Sequence, residues 1–180
     1  DVAALLGVSW PALRHHLYRL PKAELYRTFA IPKRGGGERE VEAPCQRLKD
    51  IQSSLLRIVE GIYFPRPPVH GFTFGRGIVS NARRHVGARW LLNIDLKDFF
   101  PSIHIGRVIG LFKAWPFVAD REAAITLAQI CTHNGKLPQG APTSPIISNM
   151  VCFKMDRELF ELAKANKCVY TRYADDITFS

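Results

Sequence analysis

The chain has 180 residues, 47% of them hydrophobic, enough to bury one substantial core and too many for a disordered polymer. Its formal net charge is +9, carried by basic residues spread from Arg14 to Arg172 and not gathered in a tail. That distribution fits a folded surface or channel that attracts a polyanion, nucleic acid first, with an anionic membrane surface or plain solubility as the alternative.

In chain order, Leu5, Leu6, Val8, Leu13, Leu17 and Leu20 fit two short helices broken around Ser9-Trp10-Pro11, with Ser9 available as N-cap. They predict a helical docking element over 1–25. Tyr26 to Pro32 carries strand residues, Lys33-Arg34-Gly35-Gly36-Gly37 is a basic turn, and Glu38 to Val41 returns. A β-hairpin is expected there, its tip carrying Lys33, Arg34 and Arg39 and able to fold over phosphates. Pro44 opens a predicted helix in which Leu48, Ile51, Leu55, Ile58, Val59 and Ile62 recur at three and four, with Gly61 near its end. Phe64 to Gly77, punctuated by Pro65, Pro67, Pro68, Gly71, Gly75 and Gly77, reads as a loop that approaches something closely, with a nucleic-acid backbone as candidate. Ser80 is placed to cap a short helix through Asn81, Ala82, Arg83, Arg84 and His85.

Trp90 to Asp95 reads as a buried strand ending in a carboxylate, followed by a turn through Lys97 to Ile103. Ile105 to Cys131 holds two helical stretches separated near Trp115-Pro116. Leu137 to Thr143 is a rigid loop, after which Ser144 as N-cap and Pro145 at the first position begin one long helix to about Lys164. Its apolar face includes Ile147, Met150, Val151, Leu159 and Leu162. Finally, Cys168-Val169-Tyr170 and Ile177-Thr178-Phe179 flank Tyr173-Ala174-Asp175-Asp176, a strand, turn and strand without the usual Asn-Gly tip.

Cys45, Cys131, Cys152 and Cys168 lie far apart with neither CxxC nor Cys-His ligand spacing, so buried thiols in a reducing cytoplasm are expected, not a zinc site or a disulfide framework. No apolar run approaches the roughly 18 residues of a membrane span, and no membrane partner is expected. A start at Asp1 and a stop at Ser180 directly after a strand read as a cut from something longer.

Asp175-Asp176 alone reads as a solvated acidic turn. With Asp95 ending another strand, the reading changes: if the strands are neighbours in one antiparallel sheet, three carboxylates converge at one edge, with a helix long enough to pack beneath. Such a set would hold two Mg²⁺ ions, which demand oxygen ligands and stabilise both the attacking 3′-oxygen and the leaving pyrophosphate of an in-line displacement; Mn²⁺ is the alternative ion. Lys33 and Arg39 would supply charge to a triphosphate.

Asn93-Ile94-Asp95-Leu96-Lys97-Asp98-Phe99-Phe100 resembles the first catalytic motif of the bacterial reverse transcriptases. Leu137-Pro138-Gln139-Gly140-Ala141-Pro142-Thr143-Ser144-Pro145 resembles their template and nucleotide-positioning motif, and Tyr173-Ala174-Asp175-Asp176 their second catalytic motif, in the same order. Asn81-Ala82-Arg83-Arg84-His85 is similar to the Asn-Ala-x-x-His motif of the retron X region, and Tyr170 to Ser180 to the retron form of the catalytic hairpin. Ile177 stands where Leu or Met is more usual, and the chain stops before the primer grip, the thumb and the retron Y region.

The resemblance implies an α+β fold, the fingers (26–90) and palm (91–180) of a right-hand polymerase, with an antiparallel palm sheet packed on helices and no thumb. It implies an RNA-directed DNA polymerase, retron type and active in antiphage defence, that copies a structured noncoding RNA template and primer into DNA from dNTPs. An effector protein is a further partner it admits. By the same resemblance Asp95 and Asp175 are direct metal ligands and Asp176 a nearby carboxylate. Phe100 lies under the sugar of the incoming nucleotide, or is plain core; Gln139 touches nucleotide or template; Gly140 permits close backbone approach. Arg83 and Arg84 face RNA. Asn81 and His85 bind RNA or, equally, act as a helix cap and a packed histidine. For Phe72 and Phe74, core packing is preferred to base stacking. A group II intron or abortive-infection reverse transcriptase, and a noncatalytic RNA-binding module, are the competing functions.

Overall fold

The computed structural model describes residues 1–32 and 36–180, which fold as two compact units, each made of two chain segments. The first comprises Asp1–Ile62 and Phe100–Ser144, the second Tyr63–Phe99 and Pro145–Ser180. The class is α+β with antiparallel sheets, as expected.

In the first unit, α1 (Val2–Leu5) and α2 (Trp10–Tyr18) break where predicted, the Ser9 hydroxyl accepting from Ala12 N at 3.4 Å. A short α3 (Lys22–Leu25) leads into β1 (Tyr26–Pro32), which pairs antiparallel with β2 (Glu38–Pro44) from Tyr26↔Pro44 to Pro32↔Glu38. The hairpin is therefore present, while Lys33 and Arg34 lie outside the described residues. Pro44 ends the strand and does not open the helix, because pairing with Tyr26 and the Cys45 N to Leu25 O bond (2.7 Å) keep the chain extended up to α4 (Gln46–Glu60). Leu48, Ile51, Leu55 and Val59 form the buried stripe of α4, each worth about 1.5–3 kcal/mol of burial. Gln52 is buried among them, its amide nitrogen donating to Tyr26 OH and to Ile130 O, both at 2.8 Å, while its Oε1 has no hydrogen-bond partner among the described residues. The two later helices of the unit, α6 (Ile105–Lys113) and α7 (Arg121–Cys131), are separated at Trp115-Pro116 as predicted. Asp120 caps α7 through Ala123 N (2.8 Å).

In the second unit, α5 (Ile78–Arg83) starts one turn earlier than expected: Gly77 is the N-cap, and Ser80 sits inside the first turn, its hydroxyl bonded at 2.9 Å to both Gly77 N and Gly77 O. β3 (Leu92–Asp95), β4 (Tyr170–Tyr173) and β5 (Asp176–Phe179) form an antiparallel sheet in the order β3-β5-β4. β3 was expected to be buried and is exposed, with Leu92 at 57% and Ile94 at 41%, because among the described residues it is an edge strand paired with β5 alone. The expected single long helix is two, α8 (Ser144–Val151) and α9 (Phe153–Ala165). The backbone opens at Cys152, where ψ is −4°, while the bonds Cys152 N to Ser148 O and Asp156 N to Cys152 O bridge the break. Ala163 of α9 packs with Tyr170 and Ile177 of the hairpin, flanked by Leu96, Leu159 and Phe160. Leu162, expected on that face, is exposed, since it is one residue and some 100° around the helix from Ala163. Cys131 and Cys152 are buried as expected, but Cys45 is only half-buried and Cys168 is exposed beyond the end of α9. Among the described residues no helix is long and apolar enough to cross a membrane.

Candidate active site

The strand register brings the acids together. β3 and β5 pair Ile94↔Ile177 and Asp95↔Asp176, and the pairing continues one step as Leu96 N donates to Asp175 O at 3.0 Å. Directly opposed residues of an antiparallel pair project to the same face, so the Asp95 and Asp176 carboxylates stand side by side, with Asp175 next to them at the turn. Burial, then the charges of Asp175 and Asp95, push the Asp176 carboxyl above its ordinary range. Among the described residues no three His, Cys, Asp or Glu side chains stand ready-made around one point where a metal would sit. What the edge offers is a set of hard oxygen donors that repel one another, which a divalent cation would offset.

Burial and this repulsion together have a measurable consequence. A carboxyl whose pKa is higher folded than unfolded makes the folded state the better proton binder, so stability falls as pH rises from the ordinary carboxylate range through the folded value. In metal-free buffer at pH 7, Asp176→Asn of the full-length protein should melt at a higher temperature than wild type. The gap should close below about pH 4, where the wild-type carboxyl is protonated in both states. A variant that melts lower at pH 7 would show that Asp176 carries no such load.

Beneath the tip lies a buried polar group that sequence reasoning missed. Ala174 takes a left-handed conformation (φ 57°), which costs an Ala on the order of 1–2 kcal/mol. Arg172, fully buried, donates from Nε and Nη2 to the two oxygens of Asp156 (2.7 and 2.8 Å), from Nη2 to Asn149 Oδ1 (3.1 Å) and from Nη1 to Ala174 O (2.8 Å). Burial alone would lower the Arg172 pKa, but the hydrogen bonds and charge of Asp156 outweigh it and keep the guanidinium charged. Tyr170 OH donates to the same Asp156 oxygen (2.6 Å), and burial with the Asp156 charge raises its pKa. Asn149 in turn donates to Gly71 O (3.0 Å), and His70 N to Arg172 O (2.8 Å). Gly71 is pressed so close to the turn that a Cβ there would lie 2.2 Å from Ala174 N.

The residues expected to meet RNA divide. Arg83 and Arg84 are exposed at the end of α5. His85 spends both ring nitrogens inside the unit, Nδ1 on Ser180 Oγ (2.8 Å) and Nε2 on Thr171 Oγ1 (2.7 Å), which is the packed-histidine arrangement; burial and then Arg84 lower its pKa. Asn81 Oδ1 is buried without a hydrogen-bond partner among the described residues. Phe72 and Phe74, preferred as core, are both exposed.

In the first unit the loop before Ser144 is held by its neighbours. Glu42 N on β2 donates to Gln139 O (2.9 Å), Leu137 N to Ile103 O (3.0 Å), and the Ser144 hydroxyl to Pro138 O (2.7 Å). Gly140, at φ 141°, lies against β2, where a Cβ would meet Glu42 O at 2.8 Å and Val41 Cγ1 at 2.9 Å. Its close backbone approach is thus to the hairpin strand. Gln139 and Phe100 are half-buried, Arg39 is exposed on β2, and Phe99, in the second unit, is buried.

Residues 31–180 match the family model described as reverse transcriptase (RNA-dependent DNA polymerase). The retron Mx65 reverse transcriptase of Myxococcus xanthus is 42% identical over 200 residues, an alignment spanning 100% of this chain and 46% of the relative. The retron Ec86 reverse transcriptase of Escherichia coli is 38% identical over 182 residues, spanning 100% of this chain and 56% of the relative. The chain thus spans about half the length of the curated relatives it matches. Among solved structures, telomerase from Candida albicans, in complex with a TWJ fragment of telomeric RNA, superposes with a TM-score of 0.58. It covers 86% of this chain and 37% of its own at 10% identity, a likeness of fold alone. With five-sixths of its length matched by the family model, and the two carboxylate motifs of that match meeting on adjacent strands, the chain belongs to the reverse transcriptase (RNA-dependent DNA polymerase) family.

Proposed function

We propose that the chain carries the catalytic carboxylates of an RNA-directed DNA polymerase of retron type, which copies a structured noncoding RNA into DNA. The observation that carries this reading is the Asp95↔Asp176 pairing with Asp175 at the adjoining turn. Carboxylates gathered at one sheet end and its adjoining turn are hard donors suited to Mg²⁺, with Mn²⁺ as substitute. Asp95 and Asp175 would be the direct ligands and Asp176 a neighbour that raises the local negative charge. When bound, the ions supply charge stabilisation at the attacking 3′-oxygen and the leaving pyrophosphate.

The remaining roles belong to side chains along the chain, with 1–25 as a helical docking element, 26–90 as fingers and 91–180 as palm. Arg39, with Lys33, would pair the triphosphate. Phe100 would exclude a 2′-hydroxyl by volume, and Gln139 and Gly140 would position nucleotide and template. Arg83 and Arg84 would neutralise RNA phosphates, with Asn81 on α5 and His85 just past its end beside them. The similarity to retron reverse transcriptases supports the retron type; its own structured RNA as template and primer, a role in antiphage defence and an effector protein are what the sequence resemblance implies.

The test is template-directed incorporation by the full-length protein on a structured RNA with an annealed primer, dNTPs and Mg²⁺. DNA synthesis that stops on chelation is the expected result. Salt-sensitive RNA binding with no incorporation would instead make the protein a noncatalytic RNA-binding module.

A further inference from the structure

We propose that Arg172 is a positioning residue, which fixes the orientation of the catalytic turn through a buried clamp made with Asp156, Asn149 and Gly71. The inference rests on the polymerase reading of the carboxylate edge. Its starting point is an excess of polar machinery where none is needed for stability. A buried ion pair is at best a weak net stabiliser relative to apolar side chains of the same volume, yet here a guanidinium, a carboxylate, a carboxamide and a phenol are all sealed from solvent. Their mutual hydrogen bonds, from 2.6 to 3.1 Å, leave the guanidinium one outlet: Nη1 donates to the carbonyl of Ala174, at 2.8 Å.

That carbonyl belongs to the peptide that joins Ala174 to Asp175. Ala174 is in the left-handed region, where the peptide plane following it is set by neither strand ladder, because β4 ends at Tyr173 and β5 begins at Asp176. A rigid donor on that carbonyl therefore decides which way the plane faces, and with it the direction of the Asp175 Cα–Cβ bond. The donor is rigid because Asp156 grips the guanidinium as a bidentate fork and Asn149 holds Nη2. Asn149 links the clamp to the loop by donating to Gly71 O, and Gly71 backs the turn from that side. The chain of contacts thus runs from α8 and α9 through Arg172 to the turn without passing through solvent.

Such support acts on the carboxylates as outer partners act on metal ligands, where loss commonly costs about 10–100-fold in affinity or activity. Lys at 172 keeps the charge but has neither the fork nor a second arm for Ala174 O. The test compares wild-type, Arg172→Lys and Asn149→Ala full-length proteins. The measurements are thermal melting, RNA binding, kcat and KM for dNTP, the Mg²⁺ concentration for half-maximal rate, and Mn²⁺ binding by EPR without nucleotide. Folded Arg172→Lys should bind RNA as wild type does, with KM for dNTP within a few-fold. Its kcat should fall about 10–100-fold, and its metal requirement and Mn²⁺ dissociation constant should rise. Asn149→Ala should show the same pattern more weakly, and decides the matter should Arg172→Lys not fold. Folded variants with wild-type kcat and wild-type Mn²⁺ binding would overturn the clamp. A wild-type protein that incorporates no nucleotide would instead remove the polymerase reading, and the clamp's catalytic role with it.

Discussion

Asp95→Asn or Asp175→Asn in the full-length protein should abolish DNA synthesis, with a fall of about 10³-fold or more, while RNA binding persists. Asn is nearly the same shape as Asp, and the sheet pairs through backbone groups, so neither change disturbs the register that places position 95 opposite Asp176. What is lost is the charge of a hard oxygen donor. Interactions of this kind supply several kcal/mol of transition-state stabilisation, and a thousandfold loss corresponds to about 4 kcal/mol. RNA affinity responds differently because it follows the basic surface: removing one carboxylate makes a chain of net charge +9 more positive, not less. Asp176→Asn should reduce synthesis less, since that residue is proposed to lie beside the ligands and not among them. Activity within a few-fold of wild type for Asp95→Asn or Asp175→Asn would sink the metal-site assignment, and parallel loss of RNA binding would mean that the substitutions act on folding.

The convergence of these acids was legible because each lies at the end of its own strand run. Trp90 to Ile94 and Ile177 to Phe179 are short apolar stretches that each abut an acid, so antiparallel pairing of the two stretches necessarily brings the acids to one end. The hairpin of β1 and β2 was readable for a related reason, a glycine turn between two runs of strand residues. Exposure of β3 was not readable: an apolar run has the same composition in an edge strand as in a central one, and only the sheet order separates them. The interruption at Cys152 escaped too, since the backbone turns there without Gly or Pro to announce it.

The clamp beneath the turn was missed because a lone Arg in a strand or a lone Asp in a helix reads as solvated by default. A signal was nevertheless present. Arg172 follows Tyr170 by two, so in a strand it points the same way as that buried aromatic, and Asp156 lies four and seven residues before Phe160 and Ala163 on the inward stripe of its helix. Two opposite charges, each on the apolar side of its own element, are candidates for one buried pair.

The most tightly enclosed of the described glycines yields the other large effect, Gly71→Ala. The new methyl carbon would lie 2.2 Å from Ala174 N, 2.9 Å from Tyr173 C and 3.1 Å from Ala174 Cα, and all three are backbone atoms that cannot swing aside as a side chain would. Relief has two routes. The loop could retreat, losing the His70 N to Arg172 O and Asn149 to Gly71 O bonds, or the turn could be pushed off its place between β4 and β5. Overpacking of this sort costs about 1–3 kcal/mol or more, and a displacement near 1 Å at a reacting site costs about 10²-fold in rate. Gly77→Ala is the control from the same loop, because a Cβ there meets nothing within 4 Å and its φ of −170° suits any residue. In the full-length protein, Gly71→Ala should therefore show both a marked loss of stability by chemical denaturation and a roughly hundredfold loss of DNA synthesis, with Gly77→Ala losing only the roughly 1 kcal/mol that Ala costs at an N-cap and keeping wild-type synthesis. Wild-type stability and synthesis in Gly71→Ala would mean that the loop does not press on Ala174, and that the turn is held from the Arg172 side alone.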